Sequence, residues 1–352
     1  MTERIQNNSK YTNMPVRENQ NRGGNNYVNR DKPTLPPKEQ LNIISKFYLS
    51  SEDGKYNNYE MEAKFGTRGI KAITKMDYDN VVKKLLSLGY KCSNNVGDYS
   101  LKIQPEFLDV RTGEFKTTSD LDKFRIEING FTNIQEYCKT NNLKQISDKN
   151  FNNVSILKKY DVRPSKDNND IIESANFDDF NFRVTIKNEE SISKNSKIGQ
   201  EIFENWNKSK KVFRYINRVS FKHQDVEKSP YQIDLSIVRT STKNEKGWMI
   251  QTYNIDESNV FQNPENYEIE IEILPSSKTI YKNPQDLSSN FQKVVKNVLS
   301  GLQQTNYPIS YPEQKSVIQD YLKMLFETDY SKKGEKYIPK NGHRHIKQKF
   351  LG

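Results

Sequence analysis

Hydrophobic and polar residues alternate strictly in two short segments near opposite ends of the chain, residues 59–65 and 267–273. Successive side chains of a β-strand point to opposite faces, so each segment is predicted to be a strand with one apolar and one charged face. The charged faces carry Glu60, Glu62, Lys64, Glu268, Glu270 and Glu272. These glutamates would repel one another if they converged, and only a bound cation would make their convergence favourable.

The same alternation recurs between residues 99 and 274. It predicts strands at residues 124–128, 182–187, 212–222, 231–238 and 247–255. Nearly every one of these segments carries a basic or acidic side chain on its polar face. A closed β-barrel with a hydrophilic lumen explains that pattern better than a sandwich whose outer faces meet water.

Apolar residues at helical spacing predict helices at residues 38–50, 77–88, 286–303 and 314–326. The predicted fold is therefore α+β and mainly β, an antiparallel barrel with helices packed outside. Four parts are predicted along the chain: a disordered arm at 1–37, the barrel domain at 38–280, a helical segment packed on the barrel at 281–328, and a polar, basic linker at 329–352.

Composition narrows the function classes. The chain has 352 residues, of which 33% are hydrophobic and 11% aromatic, and a net charge of +10 that favours polyanionic partners. It has neither an apolar run of the ~20 residues that span a membrane nor a signal peptide, which predicts a soluble protein that is not secreted. The two cysteines, Cys92 and Cys138, are too few for a disulfide framework or a zinc site.

The charged faces permit phosphoryl-transfer chemistry. Carboxylates that hold Mg²⁺ or Mn²⁺, together with Arg and Lys, would neutralise phosphate oxygens, and a spare glutamate would orient or deprotonate a water. The P-loop motif G-x-x-x-x-G-K-[ST] is absent from the sequence. The C-x5-R motif of cysteine phosphatases is absent as well, because Asp98 and Lys144 occupy the positions that would need arginine.

Two motifs carry a family resemblance: Glu60-x-Glu62-x-Lys64-Phe65-Gly66 and Glu268-Ile-Glu270-Ile-Glu272. Together they resemble the paired signature of triphosphate tunnel metalloenzymes. Within that superfamily, residues 40–327 resemble the RNA triphosphatase domain of mRNA capping enzymes from large DNA viruses. The supporting segments are 124–130, 134–138, 182–186, 214–221, 233–236 and 298–309.

The resemblance implies an eight-stranded antiparallel tunnel that removes the γ-phosphate from the 5′-triphosphate end of nascent RNA. It implies metal ligands at Glu60, Glu62, Glu268 and Glu270, with Glu272 as a further ligand or as the residue that orients the water. It implies catalytic phosphate and tunnel contacts from Arg125, Lys158, Arg183, Arg218, Lys222, Asp234 and Ser236, and substrate contacts from Arg214, Lys187 and Gln232. The register around residues 157–160 leaves Lys159 as the alternative to Lys158, and Glu190 is a candidate for an additional tunnel glutamate.

Two other functions remain open. A tunnel enzyme of this kind could cleave inorganic triphosphate, thiamine triphosphate or free nucleotides, or cyclise ATP. A barrel that had lost catalysis could serve as an RNA-binding scaffold, although unbridged buried carboxylates make that costly.

The resemblance also implies partners and a location. A guanylyltransferase needs a K-x-D-G motif, but the nearest match, residues 51–54, reads Ser-Glu-Asp-Gly and has no lysine. We therefore expect the chain to be the N-terminal part of a longer capping enzyme. Guanylyltransferase and methyltransferase domains would be covalently linked to it, and the enzyme would act in the host cytoplasm, at viral factories, or in the virion.

Overall fold

The computed structural model describes residues 35–50, 58–93, 97–109, 112–116, 124–149, 153–163, 171–225 and 229–326. Of the predicted arm at 1–37, residues 1–34 lie outside the described residues, and a helix already begins at Pro37. The predicted linker at 329–352 lies outside them entirely. Within the described ranges, no helix combines the length and the apolar content needed to cross a bilayer.

The helices are α1 (Pro37–Ser50), α2 (Lys75–Ser87), α3 (Phe131–Thr140), α4 (Leu143–Lys149), α5 (Lys197–Asn205), α6 (Ser277–Ile280), α7 (Pro284–Gln303) and α8 (Tyr311–Phe326). The strands are β1 (Tyr59–Phe65), β2 (Tyr90–Cys92), β3 (Asp98–Pro105), β4 (Phe107–Asp109), β5 (Glu114–Lys116), β6 (Phe124–Asn129), β7 (Val154–Asp161), β8 (Ala175–Phe177), β9 (Phe182–Ser191), β10 (Lys211–His223), β11 (Tyr231–Thr240) and β12 (Asn266–Ile273).

Eight of these strands close into an antiparallel barrel in the order β1-β12-β11-β10-β3-β6-β7-β9. The ring closes where β9 pairs with β1 from Tyr59↔Asn188 to Phe65↔Phe182. Strands β2 and β8 extend the sheet by pairing with β10 and β9, and β4 and β5 form a separate hairpin. The predicted fold, a mainly β protein with an eight-stranded antiparallel barrel and helices outside, is confirmed.

The hydrophobic core lies outside the barrel, between the outward strand faces and the helices. On one side α1, α2 and α7 pack against β1, β11 and β12, and on the other α3, α4 and α5 pack against β3, β6 and β7. Helices α2 and α7 approach closely at Gly301, where a Cβ would lie 2.8 Å from the Cα of Val81. Because apolar side chains point outward, the alternating charged residues point into the lumen.

Capping residues fix where the predicted helices begin. Helix α2 starts after Thr74, whose hydroxyl accepts a hydrogen bond from the Asp77 N–H at 3.2 Å while Asp77 accepts one from the Thr74 N–H at 3.0 Å. Helix α7 starts after Asn283, whose side chain accepts a hydrogen bond from the Asp286 N–H at 2.8 Å. The helices predicted at 77–88 and 286–303 therefore begin two residues earlier than their apolar periodicity suggested.

The strand predicted at residues 247–255 is wrong. This segment forms only two isolated bridges, Lys211↔Thr252 and Lys243↔Met249, within a long β11–β12 connection. Its alternation does not mark a half-buried strand, because Trp248 and Ile250 are exposed.

Candidate active site

The acidic wall of the lumen is built by β1 and β12, which pair so that Glu62 faces Glu272 and Lys64 faces Glu270. Like charges directly opposite each other across two strands destabilise a sheet. Glu62 is nevertheless buried, and Thr185 on the neighbouring strand donates a hydrogen bond to it at 3.3 Å. The fold therefore holds two carboxylates together at a place where an added cation would be stabilising.

Two lysines offset part of this negative charge. Lys159 Nζ lies 2.8 Å from Glu60 Oε2 and 3.3 Å from Glu62 Oε1. Lys64 Nζ lies 3.0 Å from Glu270 Oε1 and 3.4 Å from Glu62 Oε2. Burial would lower the pKa of Lys159, but Glu62 and Glu60 outweigh burial and raise that pKa to about 12. The Lys159 ammonium group is thus held in its charged form.

The two glutamates at the end of β12 are in opposite electrostatic environments. Burial raises the pKa of Glu272 to about 7, and the negative charges of Glu60 and Asp234 add to the effect. Burial would also raise the pKa of Glu270, but Lys64 and Arg218 outweigh it and lower that pKa to about 2. Excess negative charge is therefore concentrated around Glu272, whereas Glu270 is already neutralised by the protein's own cations.

The adjoining wall, formed by β10 and β11, is a hydrogen-bonded network around Asp234. The Arg218 guanidinium lies 3.0 Å from Asp234 and 3.4 Å from Glu270, and its Nε donates to Ser236 Oγ at 3.2 Å. Asp234 is 2% exposed and also accepts hydrogen bonds from Ser220 at 2.6 Å and Gln232 at 3.0 Å. Sequence analysis identified Arg218, Asp234, Ser236 and Gln232, and the structure brings all four together.

A second ion-paired cluster lies on β3, β6 and β9. Arg125 contacts Glu127 at 2.7 Å and Glu189 at 2.8 Å, while Lys102 contacts Glu127 at 3.2 Å. Burial would raise the pKa of Glu127, but Lys102 and Arg125 lower it. The structure places Glu189 in the lumen, whereas the earlier candidate Glu190 lies on the opposite face of β9, across from Lys158.

Lys158 is a correction to the predicted set. It pairs across from Phe124 on the outward face, and its Nζ lies over the Phe124 and Tyr160 rings, 5.0 and 5.7 Å from their centroids. The pairing of β7 with β6 and β9 turns Lys159 inward instead. Lys159, the alternative left open by the sequence, is therefore the lumen lysine of this strand.

The remaining predicted basic residues share the lumen face but differ in their partners. Lys187 is ion-paired with Asp161, and Arg214 with Glu268. The cross-strand neighbours of Arg183 are Lys64 and Asn176, and those of Lys222 are Gln232 and Lys91. None of these neighbours is acidic. The Nε of Arg183 is buried and has no hydrogen-bond partner in the described part of the chain.

The donor chemistry of the acidic wall fits a hard divalent cation, because carboxylate oxygens are the ligands that Mg²⁺ and Mn²⁺ take. The raised pKa of Glu272 and its position opposite Glu62 indicate where positive charge is lacking. Among the described residues, no three acidic, His or Cys side chains stand preassembled around one point. Glu268 is held by Arg214, so it would have to exchange that partner before it could serve as a ligand.

Several lumen residues were not among the predicted site residues. They are Lys64, Lys102, Glu127, Asp161, Thr185 and Glu189. Strand parity was the available signal for most of them. Glu127 lies two residues after Arg125, and Thr185 two residues after Arg183, so each shares the lumen face of its neighbour.

Similar solved structures exist at low sequence identity. The RNA triphosphatase domain of a trifunctional mimivirus mRNA capping enzyme is 16% identical, with a TM-score of 0.44, over 76% of this chain and 97% of that one. The Schizosaccharomyces pombe RNA triphosphatase Pct1 is 15% identical, with a TM-score of 0.33, over 85% and 95%. The structure of Pct1 in complex with the Spt5 CTD is 14% identical, with a TM-score of 0.33, over 85% of this chain and 96% of that one. No protein-family model and no curated protein matches this chain.

Proposed function

We propose that this protein is a metal-dependent RNA 5′-triphosphatase that removes the γ-phosphate of nascent mRNA as the first step of cap formation. The observation that carries the proposal is the pairing of two acidic strands inside a closed barrel, Glu62 opposite Glu272, beside lumen cations with no acidic cross-strand neighbour, Arg183 and Lys222. A lumen that combines a divalent-cation site with basic groups that lack an acidic cross-strand neighbour suits a polyphosphate chain.

The acidic wall would hold Mg²⁺ or Mn²⁺ through Glu60, Glu62, Glu268 and Glu270, with Glu272 as a further ligand or as the residue that orients the attacking water. A divalent cation in this position would supply charge neutralisation for phosphate oxygens.

The chain's own cations would position the substrate. Arg183 and Lys222 would bind phosphate oxygens directly, and Arg125, Arg214 and Lys187 would do so once a phosphate competes for their carboxylate partners. Arg218 is held in place by Asp234 and Ser236, so its guanidinium is preorganised toward the acidic wall. Charge that develops on the phosphate oxygens would thus meet, in Arg218, a cation that is already oriented.

The first experiment measures γ-phosphate release from 5′-triphosphate RNA with and without Mg²⁺ or Mn²⁺, for wild type, Glu62→Ala and Glu270→Ala. Glu313→Ala, an exposed acid on α8, is the matched control. We expect metal-dependent release in wild type and control and its loss in both lumen variants. Release that persists without metal or in the lumen variants would contradict the proposal. Tripolyphosphate measured in parallel identifies a general polyphosphatase if it is the much better substrate.

We also propose, from the sequence resemblance, that the diphosphate-ended RNA is passed to a covalently linked guanylyltransferase, in the host cytoplasm or in the virion. A separate guanylyltransferase with labelled GTP provides the test. It should transfer label to triphosphate RNA only after treatment with the wild-type protein, and label transfer without that treatment would argue against this order of steps.

A further inference from the structure

A cavity of about 420 Å³ opens at the end of the lumen where β3 begins and β6 ends. We call it the mouth cavity, and the lining residues that matter here are Asp98, Ser100, Lys102, Asn129, Phe131 and Arg218. Its size falls within the range of pockets that bind small organic ligands, about 300–1,000 Å³. Arg218 lines the cavity and also contacts Glu270 at 3.4 Å, so one side chain joins the cavity to the acidic wall.

Strand register orders the charges along this cavity. At the inner end Lys102 neutralises Glu127, which Arg125 also contacts. At the outer end, where β3 begins, Asp98 lies opposite Arg218, and Ser100 lies opposite Asn129. The Arg218 guanidinium extends from there to Asp234 and Glu270. A phosphate is attracted by Lys102 and Arg218 and repelled by Asp98, so the space beside Asp98, Ser100 and Asn129 suits an uncharged group with hydroxyl and amine donors.

An aromatic platform stands beside that outer end. Phe131 lines the cavity and is 51% exposed. Its ring packs on Tyr99, with centroids 5.3 Å apart at an interplanar angle of 58°. Gly130, at φ +89°, turns the chain from β6 into α3, and its N–H donates to the Tyr99 carbonyl at 2.9 Å. The ring is thus fixed to β3 while much of its surface stays open.

We propose that the mouth cavity binds the 5′-terminal nucleoside of the RNA, an inference that rests on the proposed triphosphatase function. The base stacks on Phe131, the ribose and base edges hydrogen-bond to Asp98, Ser100 and Asn129, and the triphosphate runs past Arg218 and Lys102 toward the acidic wall. Base–aromatic stacking accepts any base, because every base has a π-face. The cavity therefore selects a nucleoside-linked triphosphate over a bare polyphosphate without selecting a sequence.

The test compares Phe131→Ala with wild type on two substrates, 5′-triphosphate RNA and tripolyphosphate, with folding checked by thermal melting. We expect the KM for RNA to rise about 5- to 150-fold, the size expected from the loss of one stacked base. The kcat for RNA and both constants for tripolyphosphate should change less than twofold. Phe131→Trp should restore the RNA KM, and Trp248→Ala, which removes an aromatic residue 62% exposed outside the mouth cavity, should have no effect.

Each outcome decides between the two proposals. An unchanged RNA KM in Phe131→Ala, or equal losses on both substrates, overturns the nucleoside site and leaves the triphosphatase proposal standing. A wild-type protein that releases phosphate from tripolyphosphate but not from RNA overturns both. An RNA whose first base is 2-aminopurine adds a binding readout, because stacking on Phe131 should quench its fluorescence in wild type and not in Phe131→Ala.

Discussion

Glu270 and Glu272 lie two residues apart on one face of β12, yet replacing each by Gln should change stability in opposite directions. The folded-state pKa of Glu272 is raised to about 7, so its ionised form is disfavoured in the folded protein above that pH. The pKa of Glu270 is lowered to about 2, so its ionised form contributes stability above its ordinary pKa of 4.5. Glu272→Gln removes a charge that destabilises the folded protein. Glu270→Gln removes a charge that forms ion pairs with Lys64 and Arg218.

The magnitude follows from the pKa values. At roughly 1.4 kcal/mol per pKa unit, a rise from 4.5 to about 7 corresponds to about 3 kcal/mol at pH 8. Water at the open end of the lumen screens part of this electrostatic energy. We therefore expect Glu272→Gln to raise the free energy of unfolding by about 1–2 kcal/mol. We expect Glu270→Gln to lower the free energy of unfolding by about 2 kcal/mol, because the substitution leaves Lys64 and Arg218 without their charged acceptor.

Urea unfolding in EDTA, at pH 8 and pH 5, measures both effects on the metal-free protein. The gain from Glu272→Gln should shrink at pH 5, where wild-type Glu272 is itself mostly protonated in the folded state. The loss from Glu270→Gln should persist at pH 5, because that pH is still above the ordinary pKa. A Glu272→Gln variant that is less stable than wild type at pH 8, or a gain that does not depend on pH, would refute the reasoning.

Three further predictions concern other parts of the molecule. Arg218→Ala should lower the free energy of unfolding in urea by about 3 kcal/mol, because it leaves the buried Asp234 carboxylate without its cation. The double variant Arg218→Ala, Asp234→Ser should recover part of that loss. If the losses of the two single variants simply add in the double variant, the pairing is contradicted. Lys211 is 1% exposed, and burial lowers its pKa to about 8. The stability of the wild type should therefore rise between pH 8 and pH 10 relative to that of Lys211→Met. Parallel pH profiles of stability for the two proteins would contradict this prediction. Gly301→Ala should lower the melting temperature and reduce the free energy of unfolding by about 1–3 kcal/mol, because the α2 backbone occupies the space of the added Cβ. This loss should outweigh the better helix propensity of alanine. Gln292→Ala on the exposed face of α7 is the control, and an unchanged melting temperature for Gly301→Ala would contradict the close packing.

The barrel and its acidic wall could be predicted from the sequence because a period of two is unambiguous wherever one face is apolar. In β1 and in residues 267–273 of β12 every outward residue is hydrophobic and every lumen residue is charged, so a single alternation determined both the core and the candidate site. The lumen positions of Arg183 and Arg218 followed in the same way.

Prediction failed where two adjacent residues were chemically alike. Lys158 and Lys159 both fit a lumen clamp, and Leu157 lies on the lumen face, so hydrophobicity alone gives the wrong parity for this strand. Glu189 and Glu190 present the same ambiguity on β9. Pairing between neighbouring strands decides the orientation in both cases, and that pairing joins segments distant in the sequence.

Helices α3, α4 and α5 were missed for a different reason. They are short, and their apolar faces cover the outside of β3, β6 and β7 rather than forming a long amphipathic pattern of their own. Helix α3 follows Gly130 without a side-chain cap, so the usual sequence signal for a helix start is missing.

Because packing residues and lumen residues alternate along the same strands, this barrel should tolerate substitutions and insertions very differently. A single change at a lumen position leaves the outer core untouched, so binding properties can diverge during evolution while the fold persists. Deletion of one residue within β12 would instead turn its glutamates toward α1, α2 and α7 and its isoleucines into the lumen, which would abolish folding and site together. Length variation among descendants of this chain should therefore be confined to the connections between strands.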